Sequence, residues 1–386
     1  MNVVVACNNV GLVSHDVVQP IGEGGEETNL RHYLTDTGML HDHETINGYV
    51  RALTADVRHG ALDVEADPYF ASSVIAMAPD IVFNIARGFV GPAKAAYVPV
   101  ILDSLRIPYT GSDALTQTIC GDKFTCNSLL KAGGIPVPRS LFIERIEDVT
   151  SVQMNQDDFP VIVKPNNWYW SKGIYMNSIC DTQADLVLRV EEGFLEGLGP
   201  FIAQQFIPGR DLTLCFLGED MLPVIETVHE NLGHGVSILD WPSRVMMRID
   251  ADFAEATNAF KVAQIQQRRL ATIIEQIGRQ VMRQLNVLDW STIDIRLGAD
   301  GVPYVIDVNP LPDLLPNPAL HTPMGASIMA AGLSFDEVVH FVLDAAIARH
   351  GVEERSQQAV DEADEVRSGD VRTARHGQPD EPGSER

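Results

Sequence analysis

Residues 292–312 read TIDIRLGADGVPYVIDVNPLP. β-Branched and aromatic residues over 293–297 and 304–308 predict two strands, and Ala299-Asp300-Gly301 supplies turn residues between them. Side chains two apart on a strand share a face, so Asp307 and Asn309 point the same way, and a hairpin can bring Asp294 opposite them. Two carboxylates and an amide oxygen on one face form a hard-oxygen set suited to Mg²⁺ that holds phosphates. Three solvated polar residues on an edge hairpin would look the same in this stretch alone.

Composition bounds what surrounds the hairpin. A chain of 386 residues is too long for one ordinary hydrophobic core, which predicts two or three domains. Apolar residues make up 45%, a globular value, and no run of 18 apolar residues occurs, so no membrane span or membrane partner is expected. The start, MNVVVACNN, enters a strand without a basic leader, and the five cysteines (7, 120, 126, 180, 215) lack C-x-x-C spacing; a cytoplasmic location is expected. With 28 Lys plus Arg against 53 Asp plus Glu, the net charge of −25 leaves no basic footprint for nucleic acid. A pocket for an anionic ligand would have to be built from a few chosen side chains and helix N-termini.

Taken in order, 3–6 is an apolar run suited to a buried parallel strand, and 8–29 is a polar, glycine-rich loop that reads as ligand contacts or a lid. His32, His41 and His43 have no further partner at ligand spacing and read as solvated. Residues 81–84 form another buried strand ending at the Arg87-Gly88 loop, followed by a helix over 93–105 and turn chemistry at 107–111. Strand and helix in alternation predict a doubly wound α/β domain over 1–118. A helix over 122–132, stopped by Gly133-Gly134 and Pro136, opens an α+β subdomain over 119–215. Within it lie a strand at 159–164 ending in Lys164, the loop NNWYWSKG, and strands at 201–206 and 211–217. The segment 216–350 carries a long helix over 252–285, the metal-type hairpin, and a closing helix with the capping-box pattern Ser334-Phe-Asp-Glu337. Residues 351–386 hold ten acidic and five arginine residues with few bulky apolar ones and read as a disordered tail.

Lys123 and Lys164 precede the carboxylates. Ammonium groups neutralise phosphate oxygens from one side while Mg²⁺ does so from the other, so this combination fits a nucleoside-triphosphate site. Neither GxxxxGK[ST] nor GxGxxG is present.

The chain resembles ATP-grasp enzymes, and within them the D-alanine–D-alanine ligases and their relatives. The resemblance runs over 79–349 and is carried by FNIARG (83–88), IPYTGSD (107–113), DKFTCNSLLKAGGIPVP (122–138), PVIVKP (160–165), PGRDLTLCFLGE (208–219), the hairpin, and AAGLSFDEVV (330–339). It implies an α/β and α+β fold: an N-terminal doubly wound domain and two α+β subdomains enclosing ATP. Carried across, Lys123 and Lys164 contact ATP phosphates, and Ser171 and Gly173 sit in a small phosphate loop. Gln204 stands where a nucleotide-contacting glutamate is usual; Gln205, Phe206 and Ile207 form the adenine linker; Asp211 holds the ribose. Arg244, in DWPSR (240–244), takes the place of a third phosphate-facing lysine. Asp294, Asp307 and Asn309 bind two Mg²⁺ ions, with Mn²⁺ as a substitute, and the family more often has Glu at the middle position. Lys164, Arg244, Ser171 and Arg87 are the candidates for a direct part in the chemistry. The implied partners are small carboxylate and amine substrates, amino acids or derivatives, and a homodimer is an assembly the resemblance accommodates.

Departures fall where amino-acid substrates would go. Peptide-forming members usually place Arg two residues before the first metal carboxylate, and Thr292 stands there. Their Pro-Gly step after the metal Asn is here Pro312-Asp313, and Pro318 lies near the place of a serine that holds the acceptor carboxylate. A carboxylate at 313 repels an oxyanion or a second carboxylate. The glycine-rich start is replaced by NNVGLVSHD (8–16), and the usual His-Gly by Ala86-Arg87-Gly88. The expected function is an ATP-dependent carboxylate–amine ligase that works through an acyl phosphate, on substrates other than two D-alanines, in a specialised pathway such as antibiotic biosynthesis. The alternatives are a true D-alanine–D-alanine ligase and a non-catalytic nucleotide-binding protein of the same fold.

Overall fold

The computed structural model describes residues 1–8, 41–56, 59–88, 91–152, 154–229, 238–249, 251–315 and 322–352. The sequence-read loop beyond Asn8, His32, Pro318 and the acidic tail beyond 352 lie outside these residues. Among the described residues the strands form three sheets, and no single helix is long and apolar enough to cross a membrane.

The first sheet joins β1 (Asn2–Cys7), β2 (Gly60–Glu65) and β3 (Ile81–Asn84) in the parallel order β2-β1-β3. A parallel strand covered on both faces must be apolar throughout rather than alternating. Val3 and Val5 accordingly pack with Ile46, Tyr49 and Leu53 of the helix His43–Ala55, while Val4 and Ala6 pack with Phe70 and Leu102 on the other side.

The second sheet is antiparallel, built from β4 (Ser140–Ile143), β5 (Val161–Pro165), β6 (Ile179–Cys180) and β7 (Phe201–Gln205) in the order β4-β7-β5-β6. Leu186 and Val190 of the helix Gln183–Leu195 cover it together with Val161, Val163 and Phe201. The third contains β8 (Gly209–Leu217), β9 (Asp220–Met221), β10 (Ile225–Thr227), β11 (Phe260–Val262), β12 (Trp290–Gly298) and β13 (Pro303–Asn309). Its order is β11-β10-β8-β12-β13, with β9 on β8.

Helix Arg268–Leu285 buries Ile274, Ile277, Gly278, Val281, Met282 and Leu285, a helical period that places one apolar stripe on this sheet. Gly278 permits the close approach: a Cβ there would lie 2.7 Å from Cζ of Phe216. The helix Lys123–Ala132 adds Cys126 and Leu130 to the same core.

Two sequence expectations need correction. The helix read over 252–285 is two helices, Ala251–Thr257 and Arg268–Leu285, with β11 between them. Asn258 turns into the left-handed region at φ 41°, and Phe260–Val262 then pairs antiparallel with β10, so edge pairing overrides helical propensity. The boundary read at 215 falls inside β8, which pairs with β12 along its whole length, from Leu217 opposite Trp290 to Gly209 opposite Gly298. The sheets part instead at the turn between β7 and β8.

Trp290 joins the first and third sheets. It is 1% exposed, stacks on Phe83 of β3 with centroids 6.1 Å apart, and donates from Nε1 to the Pro312 carbonyl at 3.0 Å. Asp289 beside it accepts from Gly111 N at 2.6 Å and pairs with Arg349. Trp290→Ala is expected to destabilise the protein by about 3–5 kcal/mol, the range for deleting a buried aromatic. Urea unfolding measures this, and a loss below about 1 kcal/mol would contradict the bridging role.

Candidate active site

The hairpin β12–β13 places Asp294 directly opposite Asp307 and Thr292 opposite Asn309. The register shifts after Asp294, so Ile295 faces Val305 and Ile306 is the extra residue of a bulge. As a result Ile306 and Asp307 both line a cleft between the second and third sheets, while Val305 before them stays in the core. Two carboxylates facing each other at low exposure repel, and burial together with the Asp307 charge raises the Asp294 carboxyl to about 6. Thr213, opposite Asp294 on β8, opposes the shift by donating Oγ1 to Asp294 Oδ1 at 2.7 Å.

The opposite wall is cationic. Lys164 on β5 is 8% exposed and donates to Gln204 Oε1 on β7 at 3.1 Å. Burial lowers its ammonium to about 8, against the pull of Asp307. Lys123 begins a helix whose N-cap, Asp122, accepts from Thr125 N, and its Nζ donates to the Trp168 carbonyl. Arg244, on the helix Trp241–Ile249, lines the cleft with its guanidinium 5.4 Å from the Trp170 ring centroid.

Gln205, Phe206 and Ile207 line the cleft between the sheets. Their backbone is pinned: Phe206 N donates to the Pro160 carbonyl at 3.0 Å, and the Ile207 carbonyl accepts from Arg296 Nε at 3.0 Å. Asp211 also faces the cleft, with Oδ1 2.7 Å from Arg296 Nη1 and Oδ2 2.7 Å from His229 Nε2. Burial pushes its carboxyl up, but the His229 hydrogen bond and the Arg296 charge outweigh it and hold it below the usual range. A ribose held there would share Asp211 with both partners.

The loop after β5 departs most from expectation. Trp170 and Ser171 stand in the left-handed region at φ 62° and 56°, each ordinarily costing a non-glycine residue about 1–2 kcal/mol. Ser171 lines the cleft, but Gly173 does not: at φ 73° it faces away, and a Cβ there would meet Pro165 Cγ at 2.6 Å. Gly173 therefore lets the loop return under β5 and forms no part of the cleft wall. The aromatic rings rest on cations. Trp168 has Lys94 Nζ 3.9 Å and Lys172 Nζ 4.1 Å from its centroid, and the Arg87 guanidinium lies 4.1 Å from the Tyr169 centroid.

Arg87 does not line the cleft either, yet its guanidinium reaches the hairpin from beyond β3 of the first sheet. Asn8 clamps its backbone in both directions, accepting from Arg87 N and donating to Arg87 O, each at 2.8 Å. Arg87 Nη2 donates to Asn309 Oδ1 and to the Leu311 carbonyl, both at 2.7 Å. Asn309 Oδ1 also accepts from Leu311 N at 3.2 Å.

Sequence reasoning missed Lys94, Lys172, Thr213 and Arg296. Lys172 had a signal, since WYWSK puts a lysine beside three aromatic residues in an acidic chain; Lys94 had none. Among the described residues no three His, Cys, Asp or Glu side chains gather at metal-ligand spacing. The donor set is the carboxylate pair plus an amide oxygen. Facing each other, with Asp294 raised by burial and by the Asp307 charge, the two carboxylates fit a divalent cation whose remaining positions phosphate oxygens would fill.

Thr292 and Asp313 both line the same cleft, as do Lys123, Lys164, Gln204 and Asp211. Comparison with known proteins gives this arrangement a family. Residues 129–344 match the family described as D-ala D-ala ligase C-terminus. An uncharacterized protein y4sG of Sinorhizobium fredii is 27% identical over 279 residues, covering 72% of this chain and 77% of that protein. D-alanine--D-alanine ligase A of Bacillus cereus is 25% identical over 249 residues, covering 64% and 74%. The crystal structure of D-alanine--D-alanine ligase from Bacillus anthracis complexed with ATP has the same fold, with a TM-score of 0.62 at 20% identity over 91% of this chain and 99% of that one. The chain belongs to the D-ala D-ala ligase C-terminus family and is an ATP-dependent ligase of ATP-grasp fold.

Proposed function

We propose that this ligase joins a carboxylate to an amine through an acyl phosphate, releasing ADP and phosphate, on amino acid substrates other than two D-alanines in a specialised biosynthetic pathway. The observation that carries the reading is that Lys123, Lys164 and Arg244 line one cleft with Asp294 and Asp307. Cations on both sides of a triphosphate neutralise the charge that develops as the γ-phosphoryl group moves. Mg²⁺ held by Asp294, Asp307 and Asn309 would supply that charge from the hairpin side.

This chain's own residues do the rest. Lys164, fixed by Gln204, Lys123 and Arg244 hold the phosphates while a donor carboxylate oxygen attacks the γ-phosphorus and ADP leaves. The amine then attacks the acyl carbon, phosphate departs, and the amine loses its proton. Trp168, Tyr169 and Trp170 cover the reacting centre and keep water from the acyl phosphate. Arg87 is the residue for the donor carboxylate, because a planar guanidinium can hold it with two bonds. Asp313 repels a second carboxylate, so the acceptor is an amine without one nearby: an amino amide, a diamine or a modified amino acid.

Three outcomes test this reading. A screen of D- and L-amino acids and amines for ADP release, with product masses, is expected to yield an amide other than D-alanyl-D-alanine. Asp313→Gly should move acceptor preference toward carboxylate-bearing amines; efficient D-alanyl-D-alanine synthesis by the wild type, or an unmoved preference, contradicts it. Asp307→Ala should fold, as circular dichroism checks, and lose turnover, whereas near-normal ATP-dependent turnover excludes Asp307 from the reaction.

Lys164 also sets a pH dependence. Its ammonium is charged below about 8 and lost above, and bound triphosphate retains the proton. KM for ATP should rise as pH passes upward through about 8, with proton uptake on ATP binding there. Lys164→Ala should lower kcat/KM by an amount worth about 1–3 kcal/mol and flatten this dependence. Equal ATP affinity on both sides of that pH in the wild type would remove Lys164 from the phosphate site.

A further inference from the structure

Arg87 is 2% exposed, and among the described residues two of its nitrogens, Nε and Nη1, are buried without a hydrogen-bond partner. Such unsatisfied donors are costly unless something binds there. A guanidinium offers a carboxylate two double-pronged edges, Nε with Nη2 and Nη1 with Nη2, and both require a hydrogen on Nη2. Here the two Nη2 hydrogens go to Asn309 Oδ1 and the Leu311 carbonyl. The Tyr169 ring covers one face of the group, 4.1 Å from it. Arg87 therefore has donors to spare but no complete fork.

Asn309 holds the missing prong. Its Oδ1 has two lone pairs, and Arg87 Nη2 and Leu311 N occupy both. A cation coordinated by that oxygen must displace one of them. Leu311 N closes a turn two residues along the chain and carries no charge, while Arg87 is repelled by an incoming cation. Arg87 is the one that leaves.

We propose that metal binding at Asn309 releases Nη2 of Arg87 and thereby completes a two-pronged site for a carboxylate. The metal and the carboxylate-bearing substrate are then coupled, each strengthening the other's binding. This deepens the ligase reading and rests on it, together with the place of Asn309 among the metal ligands.

The test is a binding measurement on the whole chain. Carbon-13-labelled acetate, titrated by NMR in the presence of ADP, should bind about tenfold more tightly with Mg²⁺ than without it, while acetamide shows no gain. Arg87→Lys keeps the charge but has no fork, so the gain should fall below about twofold there. Arg87→Gln, neutral and similar in reach, should lose it as well and serves if the lysine variant does not fold. The wild-type comparison of acetate with acetamide needs no variant. Absence of the gain in wild type, an equal gain for acetamide, or its survival in either variant overturns the proposal. ADP release in the substrate screen tests the ligase reading separately, so uncoupled acetate binding with ADP release intact defeats the fork alone.

Discussion

Two carboxylates facing each other across a pair of strands are an unfavourable arrangement, and this structure is built around one. Asp294 and Asp307 sit opposite in the β12–β13 register, and burial with mutual repulsion raises Asp294 to about 6. Like charges so placed weaken a sheet unless positive charge compensates them. The surroundings supply it in parts. Thr213 donates a hydrogen bond to Asp294 from β8, and Lys164 reaches toward Asp307 from the second sheet. Arg87 arrives from the end of β3 in the first sheet to touch the neighbouring Asn309. Each of the three sheets thus contributes to one centre, and a divalent cation with a triphosphate would complete its charge balance.

The same constraint explains the aromatic loop. The chain carries a net charge of −25, yet Lys94, Lys123, Lys172, Arg87 and Arg244 gather around the loop 168–171. Cations packed this closely repel one another. Aromatic faces lower that cost, because the ring quadrupole attracts a cation by about 0.5–2 kcal/mol without adding a formal negative charge. The left-handed backbone at Trp170 and Ser171 is the local strain accepted to present the rings.

The hairpin was readable in the sequence because its evidence is local: alternating residues, a turn, and polar groups at the right spacing. Motifs in the order of the ATP-grasp resemblance likewise point to Lys123, Lys164, Gln204, Asp211 and Arg244, and all five line the cleft. The contact between Arg87 and Asn309 was not, since 222 residues separate the partners and nothing local marks either end. Residues 258–267 misled in the opposite way. Their composition suits a helix, but pairing of Phe260–Val262 with β10 supplies sheet hydrogen bonds that propensity cannot register. Gly173 was placed by motif in the phosphate loop, whereas its conformation serves the return of the chain beneath Pro165. In each miss the deciding partner lies outside the segment being read.

The central claim is that the cations of the second sheet and the carboxylates of the third act together on one phosphoryl group, passing it to a carboxylate before an amine attacks. The fate of a carboxylate oxygen reports this directly. With oxygen-18 in the donor carboxylate, mass analysis of the released phosphate should find one labelled oxygen for each amide formed, because the oxygen that attacks phosphorus leaves with it. Phosphate free of label, alongside labelled amide product, would contradict an acyl phosphate and with it the role assigned to this cleft.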